Sequence, residues 1–286
     1  MTHTIKFLTF GLSSAILLAS CGQSGTKSET TTATDTTKTA TTTPAAPIGL
    51  KPVGNSPEFP DAQLSIASVS ATKQGNDSAK VTFNFTVKNY TLGMQTADTG
   101  SKLCNNSAKG QHIHFILDEQ PYTALYEPKN EVVLANNTEH YLMAFLSRSY
   151  HESIKSKGAA LVYHFKIDDK GKLVKMDDPK TPMVFYSRPK GDYIGKDMTN
   201  VLLDFYVWNA NLSADGYKVK ADVTPEGGTD ASFTISDWKS NFLNNLPQGK
   251  TKVTLTLLDK DGKQVQGPNT TVDRSINLSA DEPMKK

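Results

Sequence analysis

Six histidines occur in the 286 residues. Two of them stand two residues apart in the run Gly110-Gln111-His112-Ile113-His114-Phe115-Ile116-Leu117-Asp118. The run reads as a strand, in which side chains alternate between faces. His112, His114 and Ile116 then share one face, and Ile113, Phe115 and Leu117 share the core face. Two imidazoles side by side on a strand suit a soft or borderline divalent metal, copper or zinc. Cys104 and His140 are the donors that would join His112 and His114 in such a site, with His151 as a further candidate. No spacing among these residues matches a strict metal motif.

A second polar stretch, Leu146-Ser147-Arg148-Ser149-Tyr150-His151-Glu152-Ser153, directly follows the apolar run Tyr141 to Leu146. Loops at strand ends are where binding residues concentrate. Ser147, Arg148, Ser149 and His151 resemble the Ser-Arg-x-His stretch of forkhead-associated domains, which hold phosphothreonine through Arg and Ser donors. The Gly-Arg pair of those domains is missing upstream, and the histidine is offset. His112, His114, Arg148 and His151 together make a candidate ligand-binding face for a phosphopeptide, another protein or a glycan.

Catalytic constellations are incomplete. Asp98-Thr99-Gly100-Ser101 spells an aspartic-protease tetrad, but that chemistry needs a second aspartate of the same kind, and no second Asp-Thr-Gly or Asp-Ser-Gly occurs. Gly249-Lys250-Thr251 lacks the glycine a phosphate loop carries at position 244, which is Asn244. His151-Glu152 begins like a zinc-protease helix and has no second histidine. Asp259-Lys260-Asp261-Gly262 is part of a calcium-loop opening set where a hairpin turn is due. The reading is a non-enzymatic protein.

The elements that must position these residues are strands. Val81, Phe83, Phe85 and Val87 alternate with polar residues, as do Tyr217, Val219, Ala221 and Val223, and Val253, Leu255 and Leu257. Period-two patterning with turn signals such as Asp169-Lys170-Gly171 and Asp261-Gly262 predicts antiparallel sheets with one wet face. A short helical turn near Ser236 to Phe242, capped by Ser236, is the one helical expectation. Phe85-x-Val87-x-Asn89-x-x-Leu92 recurs as Phe205-x-Val207-x-Asn209-x-x-Leu212. Further along, Phe115 to Asp118 matches Phe233 to Asp237, and Tyr141 to Leu146 matches Val253 to Leu258. The expectation is an all-β protein of two immunoglobulin-like antiparallel β-sandwich modules, an internal repeat. Module 1 spans residues 58–187, with Met183 to Tyr186 as its last strand. A join covers 188–200, and module 2 spans 201–280.

The N-terminal residues 1–20 read as a signal peptide. Lys6 supplies the positive end, and Phe7 to Leu18 form an apolar run too short for a confident membrane span. The segment ends Leu18-Ala19-Ser20-Cys21, which resembles the lipobox of bacterial lipoproteins, whose cysteine is acylated. Acyl chains on Cys21 would hold the protein to a membrane of the bacterial cell envelope, the outer membrane by preference, facing the periplasm or the surface. Residues 21–57, rich in Thr, Ala and Pro, read as a disordered tether. Cysteine occurs twice in the chain, so Cys104 has no partner once Cys21 is lipidated, and the fold rests on packing. Basic and acidic side chains number 31 and 29 and are interspersed, which gives no nucleic-acid footprint.

The runs Gly110 to Tyr122, Phe145 to Ser153 and Val201 to Phe205 resemble a group of Bacteroidota lipoproteins without an assigned activity, some of them named for phosphopeptide binding. The resemblance covers most of residues 60–280 and implies the same envelope compartment and the same β architecture.

Overall fold

The computed structural model describes residues 46–281. The expected signal peptide, the Cys21 lipidation site and the tether as far as residue 45 lie outside the described residues. Among the described residues no helix is long and apolar enough to cross a membrane.

The regular structure of the described residues is almost entirely strand. First come β1 (Gly49–Pro52), β2 (Gln63–Gln74), β3 (Ser78–Lys88), β4 (His112–Leu117), β5 (Thr123–Leu125) and β6 (Lys129–Ala135). There follow β7 (Thr138–Ser147), β8 (Ala160–Ile167), β9 (Leu173–Lys175), β10 (Met183–Arg188), β11 (Gly191–Ile194) and β12 (Val201–Trp208). The last are β13 (Lys218–Pro225), β14 (Ala231–Ile235), β15 (Asn241–Asn244), β16 (Gly249–Leu258) and β17 (Thr271–Ser279).

Four sheets form, with strand orders β2-β3-β6, β5-β4-β7-β8-β9, β1-β15-β12-β10 and β11-β17-β16-β13-β14. All pairs are antiparallel except β11 with β17. The first two sheets close on one core, in which Val81, Phe83 and Phe85 of β3 meet Ile113 and Phe115 of β4 and Leu142 of β7. The other two close on a second core, in which Val201, Leu203 and Phe205 of β12 meet Val219 of β13 and Leu255 of β16. Each large apolar side chain buried this way contributes roughly 1.5–3 kcal/mol.

Both modules have one wiring. β2-β3-β6 corresponds to β10-β12-β15, and β4, β7 and β8 correspond to β13, β16 and β17. The sequence echo therefore holds at two of its three points. β3 matches β12, and Asn89 and Asn209 both leave their strands in the left-handed region, at φ 55° and 49°, which Asn tolerates better than most residues. β7 matches β16. The third point is a correction: Phe115 on β4 matches the position of β13, not Phe233 on β14, because apolar spacing alone does not separate neighbouring strands.

The module boundaries also need correcting. Met183 to Tyr186 is not the last strand of module 1. β10 pairs with β12, and Val184 and Tyr186 enter the second core. The expected join at 188–200 contains β11, which pairs with β17. Gly49–Pro52, inside the expected tether, pairs with β15 as an edge strand of module 2. The Ser236 to Phe242 stretch is not helical, and Asn241 and Phe242 open β15.

A third cluster joins the modules. Ile116, Met143 and Phe145 from the outer face of module 1 pack on Met183, Phe185 and Tyr206 of module 2. The Phe145 and Tyr206 rings stack at 5.0 Å. The face of β4 expected to be wet is thus covered, and His112 and His114 are both 0% exposed.

Candidate functional site

Three imidazoles converge where module 1 meets module 2. Alternation on β4 sends His112 and His114 outward from the first core. The turn after β7 supplies His151. This turn closes through Arg148 N to Glu152 O at 2.9 Å and His151 N to Arg148 O at 2.9 Å. His151 sits at φ 70°, an uncommon conformation outside glycine, and its ring turns back onto the strand.

His112 Nε2 lies 2.9 Å from His114 Nε2 and 3.1 Å from His151 Nδ1. All three atoms lie within 4.8 Å of one another. Nitrogens bound tetrahedrally to one zinc at 2.0–2.1 Å would stand about 3.3 Å apart, a few tenths of an ångström wider than the two His112 spacings, while the His114–His151 spacing lies within 4.8 Å.

The outer ring nitrogens of His112 and His114 are held. His112 Nδ1 donates to the Gly110 carbonyl at 2.8 Å, which leaves Nε2 as a bare lone pair. His114 Nδ1 meets Ser187 Oγ of β10 at 2.9 Å. The Tyr122 ring stacks on His114 at 3.7 Å, and its hydroxyl lies 3.2 Å from His151 Nδ1. Fixing the far nitrogen of a histidine to a carbonyl or hydroxyl is how ligating imidazoles are aimed.

Gly110 is required at its position. It sits at φ 82°, and a Cβ there would stand 2.4 Å from the Gly93 carbonyl oxygen.

The hydrogen bonding inside the triad does not close by itself. One lone pair on His112 Nε2 faces two nitrogens. It meets one N–H well, and the second contact is either a shared acceptor or two lone pairs face to face. A shared proton is disfavoured. Burial lowers the His112 pKa to about 4, with the Arg188 charge adding to the effect. Burial and neighbouring positive charge hold His114 and His151 well below the usual range. Neutral imidazoles are the form that binds metal.

Two cations from module 2 border the site. Arg188 is 6% exposed. It donates to Lys190 O and Tyr193 Oη, both at 3.2 Å, and its Nε has no hydrogen-bond partner among the described residues. Lys190 Nζ donates to Tyr122 O at 2.6 Å and sits 4.3 Å from the Tyr122 ring centroid. Neither has a carboxylate within ion-pair distance among the described residues.

The other sequence candidates lie apart. His140 spends Nδ1 on Asp118 and Nε2 on Thr138, both at 2.7 Å. Cys104 is half-buried, and burial, with Asp197 and Glu152 nearby, pushes its thiol up to about 12, the condition of an unreactive thiol. Of the candidates His112, His114, Cys104 and His140, the structure brings together only His112 and His114, and the third imidazole beside them is His151. Arg148 is a structural strap. It donates through Nε and Nη2 to Pro57 O and through Nη1 to Ser153 O, and it pairs with Glu152 at 3.5 Å. It is spent inside the fold, not offered to a phosphate. It borders a cleft of about 710 Å³ lined also by Phe59, Glu152, Lys155 and Trp238.

Sequence reasoning missed Tyr122, Ser187, Arg188 and Lys190 as neighbours of the histidines. Alternation along β10 would have put Ser187 on the face opposite Tyr186, but only the docking of the modules brings that face to His114.

No family model matches the chain, and no curated protein matches its sequence. Among solved structures the chain is similar to fibronectin(III)-like modules of Clostridium thermocellum CbhA, at 12% identity over 76% of this chain and 95% of that one, with a TM-score of 0.26. It is also similar to the chicken interferon gamma receptor alpha chain, at 9% identity over 73% and 97%, TM-score 0.23. A third is the BSP domain of a biofilm associated protein, at 11% identity over 78% and 53%, TM-score 0.23. At such distances these likenesses bear on neither ligand nor activity.

Proposed function

We propose that this chain is a non-enzymatic lipoprotein of the bacterial envelope, held to a membrane through Cys21, whose first module carries a copper or zinc ion on His112, His114 and His151. One observation carries the reading: three buried neutral imidazoles point ring nitrogens at one another, while the outer nitrogens of His112 and His114 are held by Gly110 and Ser187. A cation at the centre would meet a lone pair from each of the three rings. The buried position between two modules fits an ion that is kept or carried.

The test is a copper and zinc titration of the purified, chelator-stripped full chain beside its His112→Ala/His114→Ala variant. One ion per chain, lost in the variant, is the expected result. No binding by the wild type would sink the reading. A second reading, capture of a peptide, protein or glycan, rests on the cleft beside Phe59 and Trp238. Aromatic faces there, with Lys155 Nζ 5.8 Å from the Trp238 ring centroid, suit a sugar or a polar peptide better than a phosphate reached through Arg148.

A further inference from the structure

We infer that Arg188 and Lys190 make the triad selective for a monovalent ion, Cu(I), over divalent ions; this rests on the metal reading above. The donor set contains three neutral nitrogens and neither carboxylate nor thiolate. Zn(II) takes four ligands, either four side chains or three with a water completing the set. Here three side chains converge; beside them the Tyr122 hydroxyl lies 3.2 Å from His151 Nδ1, attached to a ring stacked flat on His114. An ion lying in the plane of the His114 ring is out of easy reach of an oxygen in a parallel plane. Three-coordination by imidazole is ordinary for Cu(I), whereas Zn(II) would have to carry a water into a site whose histidines are buried.

Charge points the same way. Ser187, which holds His114, is followed directly by Arg188, and the guanidinium carbon stands 5.4 Å from the Tyr122 ring centroid. Lys190 reaches the same ring. No described carboxylate pairs with either cation. Repulsion between a bound ion and these charges scales with the ion's charge, and the cost of burying the ion scales with its square. A divalent ion meets twice the repulsion and roughly four times the burial cost of a monovalent one.

The experiment uses the chelator-stripped full chain under anaerobic conditions. Cu(I) affinity is read by competition with a chromophoric Cu(I) chelator, and Zn(II) affinity with a zinc indicator. Wild type, Arg188→Gln and Lys190→Gln are compared, with near-ultraviolet circular dichroism to confirm folding. The half-buried Lys190 gives the milder variant should Arg188→Gln fold poorly. The wild type is expected to bind one Cu(I) at least about 100-fold more tightly than Zn(II). Each variant is expected to gain for Zn(II) the square of its gain for Cu(I), for example roughly hundredfold against roughly tenfold, since the Coulomb energy is proportional to the charge product. Zinc bound as tightly as Cu(I) by the wild type, or equal gains for both ions in the variants, would overturn the selectivity and leave the triad as a metal site. Binding of neither ion would overturn both.

Discussion

His112 Nε2 and His114 Nε2 stand 2.9 Å apart on one face of one strand, and neither residue is exposed to solvent. Two ring nitrogens this close and this dry are held by the surrounding fold and depend on their protonation state.

The first prediction is a pH dependence of the metal-free chain. The folded pKa of His112 is lowered to about 4 by burial, below its value of about 6.5 in an unfolded chain. Below pH about 6.5 the unfolded state therefore binds more protons than the native state, so stability is present above that pH and falls as pH drops toward 4. A shift of this size corresponds to about 3 kcal/mol, and His114 and His151 act in the same direction. Denaturation midpoints measured between pH 7.5 and 4.5 should fall steeply, and less so in His112→Gln/His114→Gln. A flat profile in the wild type would contradict the buried neutral triad.

Metal should stabilise the fold by mass action. Free ion at 100 times its dissociation constant adds about 2.7 kcal/mol when it binds the native state alone. Differential scanning calorimetry should show a higher Tm on adding copper or zinc to the wild type and no change in His112→Ala/His114→Ala.

Gly110→Ala should cost at least about 3 kcal/mol, from the strain of a positive φ and from overpacking. Its new methyl would meet the Gly93 carbonyl at 2.4 Å. The same backbone holds His112 Nδ1, so metal affinity should fall with stability. Urea denaturation and titration of the variant check both, and wild-type stability would refute the contact.

Lys155 and Asp204 tie the modules together. The pair lies at 2.8 Å, with Asp204 0% exposed and also accepting from Ser153 and Ser240. Lys155→Met leaves a buried carboxylate without its cation and should cost about 3–5 kcal/mol. Asp204→Asn in that background should recover part of the loss. A double-mutant cycle with no coupling would rule out the pair as a stabilising link.

The sequence by itself determined the β class, the two-module repeat through Phe85 to Leu92 and Phe205 to Leu212, and the shared face of His112 and His114. Each follows from period-two alternation, a local property of the chain. It left three ligand choices open around those histidines. Only the tertiary structure brought His151, and not Cys104 or His140, against that pair, because it depends on a left-handed turn bringing a ring back from residue 151. Only the tertiary structure moved Gly49–Pro52 and Met183–Arg188 into module 2, since strand pairing is a long-range choice that apolar spacing does not encode. And only the docking of the two modules buried the histidines beside Ser187 and Arg188: alternation says which side chains share a face, while the covering of that face is set by a surface some seventy residues further along the chain.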